Sequence, residues 1–255
     1  MSRGQRILSA FLFTLAVLVG LVWAFPARWA WAWFGPKSDR LRVEGIEGRL
    51  WEGRALRVWL QDEFLGRLDW TLAPWSVLRG KPELRLRLSG GPLTLSAHLR
   101  RVGEGRLELP RLHMTLPARL AEPALDIPAL VLLGAVEVDM EDIELSRFGL
   151  ERARGRLAWR NASVSGAAEA HLGDLFGEFE APSLGRVQAR FHDGGGPLAL
   201  SGSFELSGLH YRAEARLAAR GGDPQVQEAL RFAGEPQEDG SVLYRVEGSV
   251  IPPQR

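Results

Sequence analysis

Glu83-Leu84-Arg85-Leu86-Arg87-Leu88-Ser89-Gly90-Gly91-Pro92-Leu93-Thr94-Leu95-Ser96-Ala97-His98-Leu99-Arg100 is the stretch on which the fold turns. Leu84, Leu86 and Leu88 alternate with Glu83, Arg85 and Arg87. Past the Gly-Gly-Pro, Leu93, Leu95, Ala97 and Leu99 alternate with Thr94, Ser96, His98 and Arg100. A period of two puts the apolar side chains on one strand face and the polar ones on the other, and Gly-Gly-Pro between two such runs is turn chemistry. The stretch therefore predicts a hairpin with one apolar and one polar face. Working outward, Val136, Val138 and Met140 alternate with Glu137, Asp139 and Glu141; Val242, Tyr244 and Val246 alternate less cleanly with Leu243, Arg245 and Glu247. Helical spacing is sparse. Pro74–Arg79, Pro117–Glu122 and Pro224–Phe232 are the short helices expected, each opened by a proline suited to a first turn. Beyond about residue 38 the fold class expected is all-β, in antiparallel curled or packed sheets.

The hairpin is also written a second time. Gly90-Gly91-Pro92-Leu93-Thr94-Leu95-Ser96 recurs as Gly195-Gly196-Pro197-Leu198-Ala199-Leu200-Ser201. In the same order, Gly48-Arg49-Leu50 with Ala55 recurs as Gly155-Arg156-Leu157 with Ala162, and Leu65-Gly66-x-Leu68 as Leu172-Gly173-x-Leu175. Ala73-Pro74 returns as Ala181-Pro182, and Gly134-x-Val136 as Gly240-x-Val242. The offsets all fall between 105 and 108 residues. Two duplicated β units are expected, 38–143 and 144–250, followed by a short tail, 251–255. The period is too long for a solenoid repeat and suits a tandem pair of sheets, each of which must bury its apolar face.

In front of the strands, Ile7 to Phe25 form nineteen consecutive uncharged positions, ILSAFLFTLAVLVGLVWAF. As a helix this run is about as long as the ~30 Å hydrocarbon core of a bilayer. Arg3 and Arg6 precede it and no acidic residue does, which keeps the N-terminus cytoplasmic. The expected layout is a cytoplasmic tail (1–6), a transmembrane helix (7–26), an interfacial aromatic linker (27–37) and a periplasmic body: a single-pass protein of a bacterial inner membrane. Ala30-Trp31-Ala32 mimics a signal-peptide cleavage site, but the apolar run exceeds a signal peptide's usual length of about 7–15 residues and Trp29, Trp31 and Trp33 crowd the site. Trp23, Trp29, Trp31 and Trp33 read as an aromatic belt at the outer interface. Eight of the nine tryptophans lie at or before Trp75; Trp51, Trp59 and Trp70 suit a core as well as an interface.

Composition removes most chemistry. The 255 residues carry 32 Lys+Arg against 31 Asp+Glu, a net charge of +1 with no surplus to neutralise nucleic-acid phosphates. With no cysteine there are no disulfides, thiolate metal sites or thiol nucleophiles. Gly (29) and Pro (15) are too frequent for long helical bundles. His98, His113, His171, His192 and His210 are scattered, without zinc-ligand spacing. His192-Asp193 before Gly194–Gly196 could be a charge-relay fragment or phosphate loop, but a proline and a strand follow, which favours a hairpin turn. Glu137, Asp139, Glu141, Asp142 and Glu144 lack the order of a calcium loop and read as a solvated strand face. Arg85, Arg87, Arg100, Arg101 and Arg106 suit either an acidic partner or a charged outer face. No nucleophile elbow or phosphate-loop motif occurs, so no catalytic, cofactor-binding or metal-binding residue is assigned and no enzyme is expected.

Val43-Glu44-Gly45-Ile46-Glu47-Gly48-Arg49-Leu50-Trp51-Glu52-Gly53-Arg54-Ala55 resembles the G-x-L-W-x-G-x-A opening of the protein N family of the bacterial type II (general) secretion pathway. Leu68-x-Trp70-x-Leu72-x-Pro74-x-x-x-Leu78-x-Gly80 and the basic-leucine strand after it extend the likeness, as does the layout of the whole chain. In the second half only Gly155-Arg156-Leu157-Ala158-Trp159 is similarly distinctive. The resemblance implies an inner-membrane, non-catalytic accessory or scaffold component of the machine that exports folded proteins across the outer membrane. Its partners would be the lipid bilayer and other secretion subunits. Similar tryptophan and glycine-leucine patterns occur in periplasmic proteins of the AsmA type, which gives the alternative: a β protein that carries or shields lipid.

Overall fold

The structure, a computed structural model, describes residues 20–21, 23–34, 41–60, 63–103, 105–122 and 130–249. The expected cytoplasmic tail, the C-terminal tail and residues 7–19 and 22 of the expected transmembrane helix lie outside the described residues. Among the described residues no helix is long and apolar enough to cross a membrane. The chain divides into two compact units between Pro92 and Leu93. The 143/144 junction of the two matched sequence stretches lies within a strand of the second unit.

In the first unit, β1 (Leu41–Gly48), β2 (Glu52–Leu60), β3 (Glu63–Leu72) and β4 (Glu83–Ser89) form an antiparallel meander. Val43 faces Val58, Ile46 faces Ala55, and Ala55 in turn faces Leu68. Ala55, Val58 and Leu88 are the buried hydrophobic residues of this sheet. Two short helices flank it. α1 (Ala27–Phe34) buries Ala27 and Ala30 and packs against β1, while Trp29 and Trp33 stay exposed. The segment was expected as an interfacial linker, and its Trp-Ala alternation hides a helix. The buried pair is spaced three apart, on one helix face, and is alanine, the strongest helix former. α2 (Pro74–Leu78) opens on a proline and buries no residue.

The second unit is also an antiparallel meander: β5 (Thr94–Arg101), β6 (Leu107–Pro117), β7 (Leu130–Ser146), β8 (Gly149–Gly166), β9 (Ala170–Ser183), β10 (Arg186–Asp193), β11 (Leu198–Ser207) and β12 (His210–Ala219). β14 (Val242–Ser249) then pairs with β12, and the two-residue β13 (Glu235–Pro236) pairs with β14. One-turn 3-10 helices follow β6 (Ala118–Ala121) and β12 (Arg220–Gly222), and α3 (Pro224–Leu230) lies between β12 and β13. The three helices expected from sequence are therefore present, one of them as a 3-10 turn.

The core of this unit lies on the apolar sheet face, in two clusters. Leu130, Leu132, Val136, Val164, Leu172, Leu175, Leu198 and Val242 pack under Val226, Ala229 and Leu230 of α3. Leu109, Ile143, Ala153 and Ala181 form the second cluster. Between the clusters run half-buried Phe179, Phe191 and Phe204. Phe179 lies so close over Gly155 that a Cβ there would sit 2.4 Å from its ring. Glycine in that strand is what admits the aromatic.

One structural feature occurs in both units. Gly66 in β3 (φ +128°) lies against Ser89 and Gly91, and Gly173 in β9 (φ +93°) lies against Gly196, where an added Cβ would come within 2.6 and 2.7 Å of backbone atoms respectively. These are the Leu-Gly and Gly-Gly-Pro pairs that match in sequence. The other matched pairs are placed differently: Gly48-Arg49-Leu50 ends β1, whereas Gly155-Arg156-Leu157 lies inside β8.

Candidate functional site

The polar face of the second unit's sheet is an ordered charge array. Register places Ser96, His113, Asp139, Arg156, Glu178, Arg190, Ser203, Glu214 and Arg245 opposite one another across nine strands. The next row runs Glu141, Arg154, Glu180, Gln188, Glu205, Arg212, Glu247. From β7 to β9 the sign changes strand by strand in both rows, because β7 is acidic, β8 basic and β9 acidic; β12 and β14 instead give opposite signs to the two rows, Glu214 and Arg245 in the first, Arg212 and Glu247 in the second. Facing opposite charges are the favourable cross-strand arrangement, each pair contributing about 0.2–1 kcal/mol before salt screening. Some close into bonds: His113 Nδ1 with Asp139 at 2.7 Å, Arg212 to Glu247 at 2.8 Å and Arg245 to Glu214 at 3.1 Å.

The face carries two adjoining concavities. One, of ≈ 630 Å³, is lined by Asp139, Arg156, Glu178, Arg190 and Glu205; the other, of ≈ 570 Å³, by His192, Ser201, Glu214 and Arg216. They share Glu178, Arg190 and Ser203. Such a surface offers donors and acceptors of both signs, which suits a polar macromolecular partner better than a small ion of one charge.

Around the array, single residues organise the loops. Asp193 accepts from the Gly195 and Leu200 amides, both at 2.9 Å, and from Arg220 at 2.7 Å. Burial pushes its carboxyl up, but the Leu200 amide, Arg220 and the Gly195 amide outweigh this and hold it down at about 2. His192 stacks on Phe176 with ring centroids 5.4 Å apart. The His192–Gly196 segment is a hairpin turn between β10 and β11. Asp174 accepts the Asn161 amide at 2.9 Å and Arg160 at 2.8 Å, and both contacts lower its carboxyl. Asp239 is lowered by the Ser241 hydroxyl and amide and then by Arg216.

The sequence expectation of no catalytic site leaves no residues to place. Ser163 Oγ lies 3.0 Å from His171 Nδ1, an exposed hydroxyl–imidazole contact. Among the described residues no three His, Asp or Glu side chains gather to hold a metal. The acidic run is a strand face as expected, with a bulge at Asp142 (φ +51°), whose carboxylate meets Arg154 at 3.3 Å. Missed from sequence was the array itself, although the strand-by-strand change of sign in Glu137/Asp139/Glu141, Arg154/Arg156 and Glu178/Glu180 carries the signal.

In the first unit the tryptophans divide. Trp70 donates to Leu50 O at 3.2 Å and Trp59 packs on Phe64 at 5.1 Å, so both belong to the sheet. Trp51 packs on Trp23 at 6.4 Å, and the Leu50 amide donates to Phe25 O at 2.9 Å. The end of the apolar N-terminal run is thus tied to the β1–β2 turn.

The fold and the polar face together define an antiparallel meander protein, with opposite charges facing one another across the strands of its second unit. The comparisons give the family. The model of type II secretion system protein N matches residues 39–245, and the chain belongs to that family. It is similar to type II secretion system protein N of Vibrio cholerae serotype O1, 27% identical over 94% of this chain and 96% of the relative. It is likewise similar to the protein of the same name from Aeromonas hydrophila, 25% identical over 96% and 99%. No solved structure matches. The chain is a component of type II secretion.

Proposed function

We propose that the protein is a non-catalytic scaffold of the type II secretion machine, anchored in the inner membrane by residues 7–26 with its β body in the periplasm. The family match is the observation that carries this reading. The polar array supports it: opposite charges face one another across the strands, so the surface holds donors and acceptors of both signs in fixed register for docking. Partners also have an open edge. β14 pairs with β13 only at Val242 and Leu243, so among the described residues the outer backbone of Arg245–Ser249 faces no strand. A partner strand can add there through main-chain hydrogen bonds. Affinity capture of the full-length protein from membranes tests the role: secretion subunits are expected, and their absence with lipid-export proteins in their place overturns it.

The lipid alternative draws on one observation, the half-buried aromatic strip of Phe179, Phe191 and Phe204 between the two core clusters. Carriage requires phospholipid or glycolipid in mass spectra of gently extracted protein; bare protein argues against it. The duplication of 38–143 and 144–250 is likewise our reading, supported by the Gly66/Gly91 and Gly173/Gly196 contacts that recur in place and in sequence.

A further inference from the structure

The first unit gathers exposed apolar side chains at one end of its sheet. β1 and β3 both run towards that end, where the Leu72 amide donates to Trp51 O at 2.7 Å. α2 follows at once. The Ala73 amide bonds Glu83 O at 3.0 Å, and the Ser76 hydroxyl accepts the Glu83 amide at 2.8 Å, clamping the helix across the gap between β3 and β4. A five-residue helix is too short to stand without such clamps. Yet its apolar residues do not serve the core: Trp75 is 69% and Leu78 76% exposed. Arg79 and Lys81 follow them, also exposed.

The segment leaving the apolar N-terminal run reaches the same end. Trp23 packs on Trp51, Phe25 O takes the Leu50 amide, and Pro26 bridges to Arg49. α1 then presents exposed Trp29 and Trp33. Among the described residues the acidic side chains at this end are Glu47 in β1, Glu52 opening β2, Asp69 level with Glu47, and half-buried Glu83; Arg28, Arg49, Arg54, Arg79, Lys81 and Arg85 outnumber them. Indoles favour the bilayer interface, and neighbouring cations favour lipid phosphates.

We propose that α2 is a second membrane contact: Trp75 and Leu78 seat in the interfacial layer of the bilayer that residues 7–25 enter, with Arg79 and Lys81 on lipid phosphates. Two contacts fix the tilt of the first unit on the membrane, which one flexible tether does not. The proposal rests on the anchor reading of residues 7–26.

The absence of cysteine makes a single-label experiment clean. Full-length Thr14→Cys, Leu60→Cys, Trp75→Cys and Leu78→Cys proteins carry a nitroxide in vesicles of phosphatidylethanolamine and phosphatidylglycerol. Collision with oxygen, which concentrates in lipid, is compared with collision with a water-soluble nickel chelate. Leu60 lies at the other end of β2, about 26 Å from Glu52 at ~3.3 Å per residue. Labels at 75 and 78 are expected to be several-fold less accessible to the chelate than the label at 60, with oxygen access raised. If 75 and 78 match 60 while 14 remains in lipid, the proposal fails and the anchor stands. If the label at 14 is open to the chelate, the anchor reading fails and takes the proposal with it. Exclusion of both reagents at 75 and 78 means that protein covers α2, which also overturns it.

Discussion

Asp193 shows how one carboxylate secures a turn. Its side chain is 14% exposed and holds two amides and Arg220. The folded carboxyl lies at about 2, below the 3.8 of the free group. A depressed carboxyl stabilises the fold above its unfolded value, and the contribution disappears as pH falls through the folded one. The shift corresponds to roughly 2 kcal/mol. Asp193→Asn is therefore expected to lower stability by about that amount at pH 7 in urea titrations, with the difference closing between about pH 4 and pH 2. A gap unchanged at pH 2 would assign the effect to shape instead of charge. Gly173 makes a second residue-scale case. Its φ of +93° and the Gly196 Cα, which an added Cβ would meet at 2.7 Å, act together, whereas a Cβ on Gly240 (φ +79°) would meet open space. Left-handed strain alone costs about 1–2 kcal/mol. Gly240→Ala should stay in that range and Gly173→Ala should exceed it, dropping the melting temperature by about 2–4 °C per kcal/mol. Equal losses at both sites would show that Gly196 moves aside freely.

At the scale of elements, α3 depends on its first turn. Asp223 Oδ1 accepts the Gln225 and Val226 amides at 3.0 and 3.1 Å, and Val226 behind it is buried in the core. Loss of such a cap costs about 1 kcal/mol, so Asp223→Ala should lower the melting temperature by about 2–4 °C. Asp223→Ser should recover most of it, which a purely electrostatic contribution would not allow. Strands and helices differed in how readily the sequence revealed them. Glu83–Leu88 and Thr94–Leu99 alternate cleanly because one sheet face is buried and the other solvated, and β4 and β5 are where that pattern puts them. Ala27–Phe34 alternates too, but its helix is set by Ala27 and Ala30 packing on β1, a tertiary contact that strand-like spacing conceals. The charge array was legible only in part. Each strand's sign is local, whereas the partner of Arg156 depends on a register fixed by bulges near Ala162 and Gly134. No single segment records that register.

The whole molecule joins a sheet-built body to an apolar N-terminal run, and in the proposed function the secretion role depends on that union. The contacts of Trp23 with Trp51 and of Phe25 with Leu50 belong to the body, because they close the β1–β2 end of the first unit. Residues 1–19 make no such contribution in the anchor reading; their work is to hold the body at the membrane. Replacing residues 1–19 with a cleavable export signal separates the two tasks while leaving Trp23 and Phe25 in place. The released protein should be soluble in the periplasm and, on the anchor reading, keep a melting temperature within about 2 °C of the anchored form, a shift that corresponds to less than ~1 kcal/mol. Secretion of folded cargo should nevertheless fall to the level of a strain lacking the protein. A scaffold works by raising the local concentration of its partners on one surface, and a short tether supplies effective concentrations of the order of mM. Overexpression of the soluble form should then restore part of the secretion, in proportion to its abundance. Full secretion at native abundance would mean that the body finds its partners without the membrane, and the anchor would lose its place in the mechanism.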